Sequence, residues 1–280
     1  MSLTVIAIVL ASALMHAGWN AVLRFRGDRI ALMTMLAAMS ALIALPGLFF
    51  VDFPRTEAWP WLALSVCLHL GYNVFLANAY AHGELGQIYP LARGSAPMLT
   101  LAASILLLGE DLTPFATIGI VVLGLGVVTL SLDGGVKALR ASPRGLVFAL
   151  ITAVFITGYT LSDGIGARAA GDPHAYVLWL FVLDGIPLMA WAFWRQGRAT
   201  GRMIAQNWKA GFIAGALSLG AYWIAIWGFT VAPIALVAAL RETSVVFAVI
   251  IGVLFLGEKI KAQRVLAILI VIAGLVLMRM

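Results

Sequence analysis

Apolar positions in this chain gather into ten runs, roughly 3–23, 30–51, 59–81, 86–108, 114–132, 144–167, 174–195, 208–230, 233–256 and 263–279. Charged and turn-forming residues collect in the gaps, from Arg24 to Arg29, Asp52 to Glu57, Gly109 to Pro114, Asp133 to Pro143, Gly171 to Pro173 and Arg195 to Lys209. About 20 mostly apolar residues make one helical crossing of a bilayer. Each run therefore predicts a transmembrane helix, referred to below as spans 1 to 10. The gaps leave no room for a soluble domain. Those near 133–143 and 196–207 are the longest and are expected to be the flexible segments.

The pattern is written twice. A shift of 148 residues lays Arg93 on Arg241, Leu106 on Leu254, and Leu108-Gly109-Glu110 on Leu256-Gly257-Glu258. It also lays Ile120 on Ile268, Gly126 on Gly274 and Val128 on Val276 without a gap. Near the start of each copy, Gly18-Trp19-Asn20 matches Gly158-Tyr159-Thr160 at a shift of 140. Five spans per copy is an odd number, so the two halves cross the membrane in opposite senses. The expected fold is an all-α polytopic membrane protein, ten helices in two inverted five-helix repeats. Residues 1–132 form the first half, 133–143 a cytoplasmic connecting loop, and 144–280 the second half.

Composition agrees with lipid as the solvent. Of 280 residues, 63% are hydrophobic and 11% charged, whereas soluble domains are roughly half apolar and a quarter charged. The formal charge of +6 does not imply a nucleic-acid partner, because the basic residues lie in short gaps and build no basic face. They do set orientation. Thirteen lysines and arginines flank the spans on the side reached after span 1, against Arg55, Arg168 and Arg279 on the other. That side is expected to be cytoplasmic, with both termini periplasmic. The lone Cys67 excludes an intramolecular disulfide, and the four histidines show no metal-ligand spacing. No cofactor is expected. The first run carries His16, Trp19 and Asn20 and is read as a retained helix rather than a signal peptide.

With its two inverted halves and a Leu-x-Gly-Glu turn after spans 4 and 9, the chain resembles the drug/metabolite transporter superfamily, in its EamA-like branch. Ile88-Tyr89-Pro90-Leu91-Ala92-Arg93-Gly94 looks like the amino-acid exporters, the aromatic amino-acid exporters among them. The resemblance implies a central cavity lined mainly by helices 1, 3, 4, 6, 8 and 9, with helices 5 and 10 peripheral. It also implies export of amino acids or other metabolites.

Candidate site residues follow from polar groups placed in lipid-facing runs, which are expensive there and generally face a cavity or a partner. Arg93 lies about eight residues into span 4, roughly 12 Å from its cytoplasmic end. Its guanidinium suits a carboxylate, and snorkelling to the loop is the bland alternative. Pro97 is expected to kink that helix. Arg241 is its mate, expected nearer the outer side, so that the two arginines would gate opposite ends; Glu242 beside it points to a different neighbour. His16 with Asn20, and His69 with Asn73, share helix faces at a spacing of four. Trp19 joins the first stripe and Tyr80 extends the second, either toward substrate or as polar glue between helices. Tyr89, Tyr159, Tyr222, Trp223 and Trp227 are candidate cavity walls or plain packing. Asp163 and Asp184 are the acids left for proton coupling.

The reading is an inner-membrane exporter of neutral and aromatic amino acids working by alternating access, as inverted repeats favour. The alternative is a proton-coupled exporter of cationic drugs or other small metabolites; span 1 has no acid, which weighs against it, and Asp163 keeps it open. Neither paired histidines, a nucleophile with its base, nor a phosphate-binding glycine loop points to an enzyme. Gly211 and Gly215 form a small-residue face that fits packing within one subunit as well as a homodimer.

Overall fold

The computed structural model describes residues 1–23, 29–132, 142–257 and 261–280. Within them the chain is helical, with no strand. The helices are α1 (Leu3–Leu23), α2 (Arg29–Ala44), α3 (Trp59–His82), α4 (Leu85–Leu108), α5 (Pro114–Thr129), α6 (Pro143–Ala169), α7 (Pro173–Gln196), α8 (Arg198–Val231), α9 (Ile234–Glu242), α10 (Ser244–Leu256) and α11 (Ala262–Leu277). Spans 1 to 8 are α1 to α8, span 9 is α9 with α10, and span 10 is α11. Among the described residues nine helical stretches are long and apolar enough to cross a membrane, and Ala262–Leu277 is a shorter apolar helix. The chain is a multi-pass membrane protein.

Helix ends follow from local chemistry. Pro114 opens α5 behind Thr113, whose hydroxyl accepts the Ala116 N–H, and Pro173 opens α7 behind Asp172, whose carboxylate accepts the His174 N–H. Proline is tolerated there because the first N–H groups have no intrahelical partner. Gly109 and Gly257, repeat mates, end α4 and α10 with φ of 63° and 65°. A Cβ at either would meet nothing within 4 Å, so glycine is needed there for the left-handed turn and not for space.

Packing partners come in pairs that exchanging the two halves interconverts. α3 packs on α6 as α8 packs on α1; α4 packs on α6 as α9 and α10 pack on α1; α2–α7 and α5–α11 are their own images. Small residues permit the closest approaches. A Cβ on Gly274 would lie 2.7 Å from the Gly119 carbonyl oxygen, and one on Gly94 would lie 2.7 Å from the Val128 nitrogen. Gly211 and Gly215 are covered by Met35 and Met39 of α2, which also sends the Ser40 hydroxyl to the Gly215 carbonyl. That small-residue face is occupied within the subunit.

The bundle is apolar outside, and its mainly apolar interior carries a minority of buried polar groups. Leu106, Leu107, Leu254 and Phe255, two pairs of repeat mates, are 71–80% exposed, as lipid-facing positions should be. Hydroxyls inside bond across helices, Ser12 to the Ala221 carbonyl and Ser162 to the Trp61 carbonyl. Such bonds are each worth about 1 kcal/mol in a membrane.

Two expectations change. Residues 198–207 are not a flexible gap; after a single-residue turn at Gly197 (φ 52°) they form the first turns of α8. Thr200, Met203, Ile204 and Asn207 face inward while Arg198, Arg202 and Lys209 stay exposed, a helical spacing that the local polarity hid. The stretch 133–143 lies almost wholly outside the described residues. Span 9, expected as one helix over 233–256, is also interrupted. α4 runs as one helix past Pro90 and Pro97, whereas its repeat image breaks at Thr243.

Candidate functional site

The break at Thr243 fixes the centre. Its N–H bonds the Leu240 carbonyl and its own carbonyl accepts Val246 N–H, so one tight three-residue turn separates α9 from α10 at membrane depth. Interrupted helices at this level are found where they line a site. Just before the turn, Glu242 Oε2 lies 3.0 Å from Arg93 Nε, and both side chains are 6% exposed. The Nε–H does not point along that line, so the contact is an ion pair without an aligned hydrogen bond. Arg241 diverges from Glu242, as neighbours on a helix must, and places its guanidinium 4.7 Å from the centre of the Tyr222 ring.

Arg93, Arg241 and Glu242 line one cavity with Thr100 and Tyr159, of only about 10 Å³. That holds about one water. The arginines do not stand at opposite ends. Each enters from its own membrane surface and lies about eight residues deep, near 12 Å. A hydrocarbon core of about 30 Å leaves only a few ångströms between their levels, less than the reach of a guanidinium arm.

A second cluster adjoins the first. Asp163 on α6 is fully buried. It accepts a 3.1 Å hydrogen bond from the Tyr176 hydroxyl on α7 and a short one from the Tyr222 hydroxyl on α8. His69 on α3 stacks on Tyr159 at 4.2 Å and meets Tyr222 edge-on at 6.0 Å. Its Nδ1 is held 3.2 Å from Ser65 Oγ. Asp184 on α7 lies within electrostatic range of His69 and Asp163 and carries a buried Oδ1 with no hydrogen-bond partner. Tyr222 joins the clusters, with its ring under Arg241 and its hydroxyl on Asp163.

Other predicted residues sit apart from direct contact with this centre. His16 lies within electrostatic range of Arg93 and Arg241, edge-on to Trp19 at 5.0 Å, and its buried Nε2 lacks a hydrogen-bond partner among the described residues. Asn20 and Asn73 donate to the His16 and His69 carbonyls of their own helices, each at 2.9 Å. Tyr80 packs against Ala79, Ile88 and Leu91, and Tyr89 lies in the electrostatic range of Arg93. Trp223 turns away to donate to His174 Nδ1 at 2.7 Å. Trp227 receives the Thr230 hydroxyl at its carbonyl; its ring is not brought into the centre. Among the described residues no three His, Cys, Asp or Glu side chains meet as a metal site requires.

Sequence reasoning missed three features. Glu110, the acid of the Gly-Glu turn, accepts Arg168 Nη2 at 2.9 Å and the Ile234 N–H at 2.9 Å, with the Ala235 N–H at 3.5 Å. Arg168 also donates to the carbonyls of Phe229 and Ala232, so the pair fastens α4, α6 and α8 to the N-terminus of α9. Ser65 and Tyr72 flank His69 at spacings of four and three, a stripe that was readable. Tyr176 gave no signal, because its role depends on where α7 docks.

No curated protein matches the chain. A solved structure titled only "Crystal structure of protein" superposes with a TM-score of 0.79 at 17% identity, covering 99% of this chain and 96% of its own. That likeness speaks to the fold. Residues 143–280, just under half of the chain, are similar to the EamA-like transporter family.

Proposed function

We propose that the protein is a secondary transporter that exports amino acids, neutral and aromatic ones among them, from a bacterial cytoplasm across the inner membrane. The observation that carries this reading is the buried Arg93–Glu242 pair at the broken span 9. A zwitterion brings the same two charges. Its carboxylate can replace Glu242 on Arg93, where a guanidinium offers two parallel donors, while its ammonium takes the released Glu242. A zwitterion adds no net charge, so the exchange leaves the charge balance of the site unchanged. Tyr159 and Tyr222 supply apolar walls for a side chain.

The cavity between the arginines is too small for any amino acid, so binding requires the helices to part. Residues 1–132 and 144–280 are the two bodies proposed to rock about the centre, joined by 133–143. The excess of basic residues beside the spans supports cytoplasmic placement of that connection, with both termini periplasmic. Nothing in the proposal needs a cofactor, a metal or a second subunit.

The test is efflux from liposomes loaded with labelled neutral and aromatic amino acids. Native protein is expected to give saturable efflux. Arg93→Ala is expected to lower kcat/KM at least about tenfold, the loss of one transition-state contact to a charged group. Absence of amino-acid efflux, with movement of a lipophilic cation instead, would overturn the reading in favour of a drug exporter using Asp163.

A further inference from the structure

The transport centre as described leaves a second buried polar cluster without a task. Asp163 is fully buried yet is met by hydroxyls rather than by a guanidinium or ammonium: Tyr176 from α7 and Tyr222 from α8. Every element packed around it contributes a polar group. α3 brings His69, whose Nδ1 meets the Ser65 hydroxyl; α7 adds Asp184, with one buried oxygen unpartnered; α6 itself adds Tyr159 under the His69 ring. From α9, Arg241 lies across the Tyr222 ring and not on the carboxylate.

Two carboxyl groups and one imidazole in a dry pocket cannot all be charged without large cost. Yet one proton moving among them changes the charge beside Tyr222 by a full unit. Tyr222 hydrogen-bonds Asp163 and lies under Arg241, and Tyr159, which lines the Arg93 cavity and stacks on His69, is a second bridge between the clusters. A hydroxyl that donates to an ionised Asp163 must reorient when that carboxyl becomes a donor itself. The cation–ring contact of Arg241 rests on the same side chain. The cluster holds no lysine or arginine that would keep the carboxylate permanently paired, and among the described residues no three His, Cys, Asp or Glu side chains are placed to hold a metal ion. A proton is the cation it fits.

We propose that Asp163, with His69 and Asp184 around it, is a proton-binding site that couples proton entry to substrate export. The idea rests on the transporter reading of the Arg93–Glu242 centre. In the step, one proton from the outer solution binds the carboxyl–imidazole cluster, Tyr222 turns, and Arg241 is released to rearrange with the substrate centre. The same proton leaves to the cytoplasm as the empty protein returns. No bond other than those to the transferred proton is made or broken.

The experiment separates coupling from transport. Liposomes carrying native protein or Asp163→Asn are assayed for exchange of labelled against unlabelled amino acid at equal pH on both sides. They are then assayed for net export with an imposed proton gradient, and proton flux is followed with a trapped pH dye. Native protein is expected to export about tenfold faster down the opposing proton gradient, within the usual span of coupling between two sites. Asp163→Asn keeps the size of the side chain and one accepting oxygen, its NH2 donating to the other hydroxyl as a protonated acid would, and is expected to retain exchange within about threefold while losing the acceleration and the proton flux. Retention of both by Asp163→Asn would overturn the proposal. Should Asp163→Asn fail to reach the membrane folded, His69→Gln serves in its place, with loss of proton flux expected and an unchanged flux counting against the site. Native protein that exchanges amino acid with no proton flux also overturns the coupling and leaves the transporter reading intact. No amino-acid exchange by native protein would strike the transporter reading instead.

Discussion

Helix α9 is held at each end by an acid–base pair, and the two pairs differ in how fully they are bonded. At its start Glu110 is saturated, taking Arg168 and the Ile234 N–H at 2.9 Å each, while Arg168 adds two carbonyls from the end of α8. At its end Glu242 meets Arg93 at 3.0 Å without an aligned hydrogen bond, in a cavity with room for a water. A carboxylate that already takes a guanidinium and two backbone N–H groups has little left to offer a ligand. One that is buried and under-bonded gains by meeting a better donor. The first pair is a fastening and the second is the pair proposed to exchange with substrate, although both join an acid to an arginine across the two halves of the chain.

The largest effect should come from breaking the under-bonded pair on one side only. Arg93→Met takes the ion-pair partner from buried Glu242 and leaves it only the more distant Arg241, a loss of up to about 3–5 kcal/mol. The thermal midpoint in detergent should fall sharply and efflux should drop at least about a hundredfold. Replacing both partners, Arg93→Met with Glu242→Met, removes the stranded charge and should restore most of the midpoint while transport stays lost. Transport that returned with stability would make the pair a packing device and erase the contrast with Glu110.

Glu110→Gln should act less and differently. The amide oxygen can still accept the Ile234 N–H, but the charge facing Arg168 and the α9 N-terminus is gone, a loss of about 1–2 kcal/mol. A lower midpoint with KM unchanged and kcat altered a few-fold is the expected outcome. A rise in KM matching that of Arg93→Met would mean that Glu110 meets substrate, and the proposed division of labour would fail.

This contrast was only half visible in the sequence. Hydropathy alone located the spans, since a bilayer tolerates little else, and the left-handed turns at Gly109 and Gly257 explain why the Gly-Glu motif recurs. Arg93 stood out because a guanidinium in an apolar run needs a reason. Its partner did not, because the sequence sends Glu242 and Arg241 to different neighbours without saying that the neighbour of Glu242 is Arg93. Glu110 read as part of a loop, and Arg168 sits so near the end of its span that it resembled an interface residue. Tyr176 and Tyr222 converge on Asp163 only after α7 and α8 dock, which no local pattern encodes. The early start of α8 was hidden by a polar outer face on a helix that emerges from the apolar core.

The smallest effect is expected where a polar residue inside a span already has its partner at home. Asn20 and Asn73 send their amides to carbonyls one turn back in their own helices, at 2.9 Å in both cases. Those carbonyls already accept from the helix backbone, so losing the extra bond strands no buried group. Asn20→Ala and Asn73→Ala should each shift stability by less than about 0.5 kcal/mol, since alanine also has the better helix propensity. Efflux should stay within about twofold of native. A tenfold loss in either variant would place that amide on the substrate once the cavity opens. Asn73 is the more exposed to this result, because it follows His69 by one turn on the face that leads to Asp163.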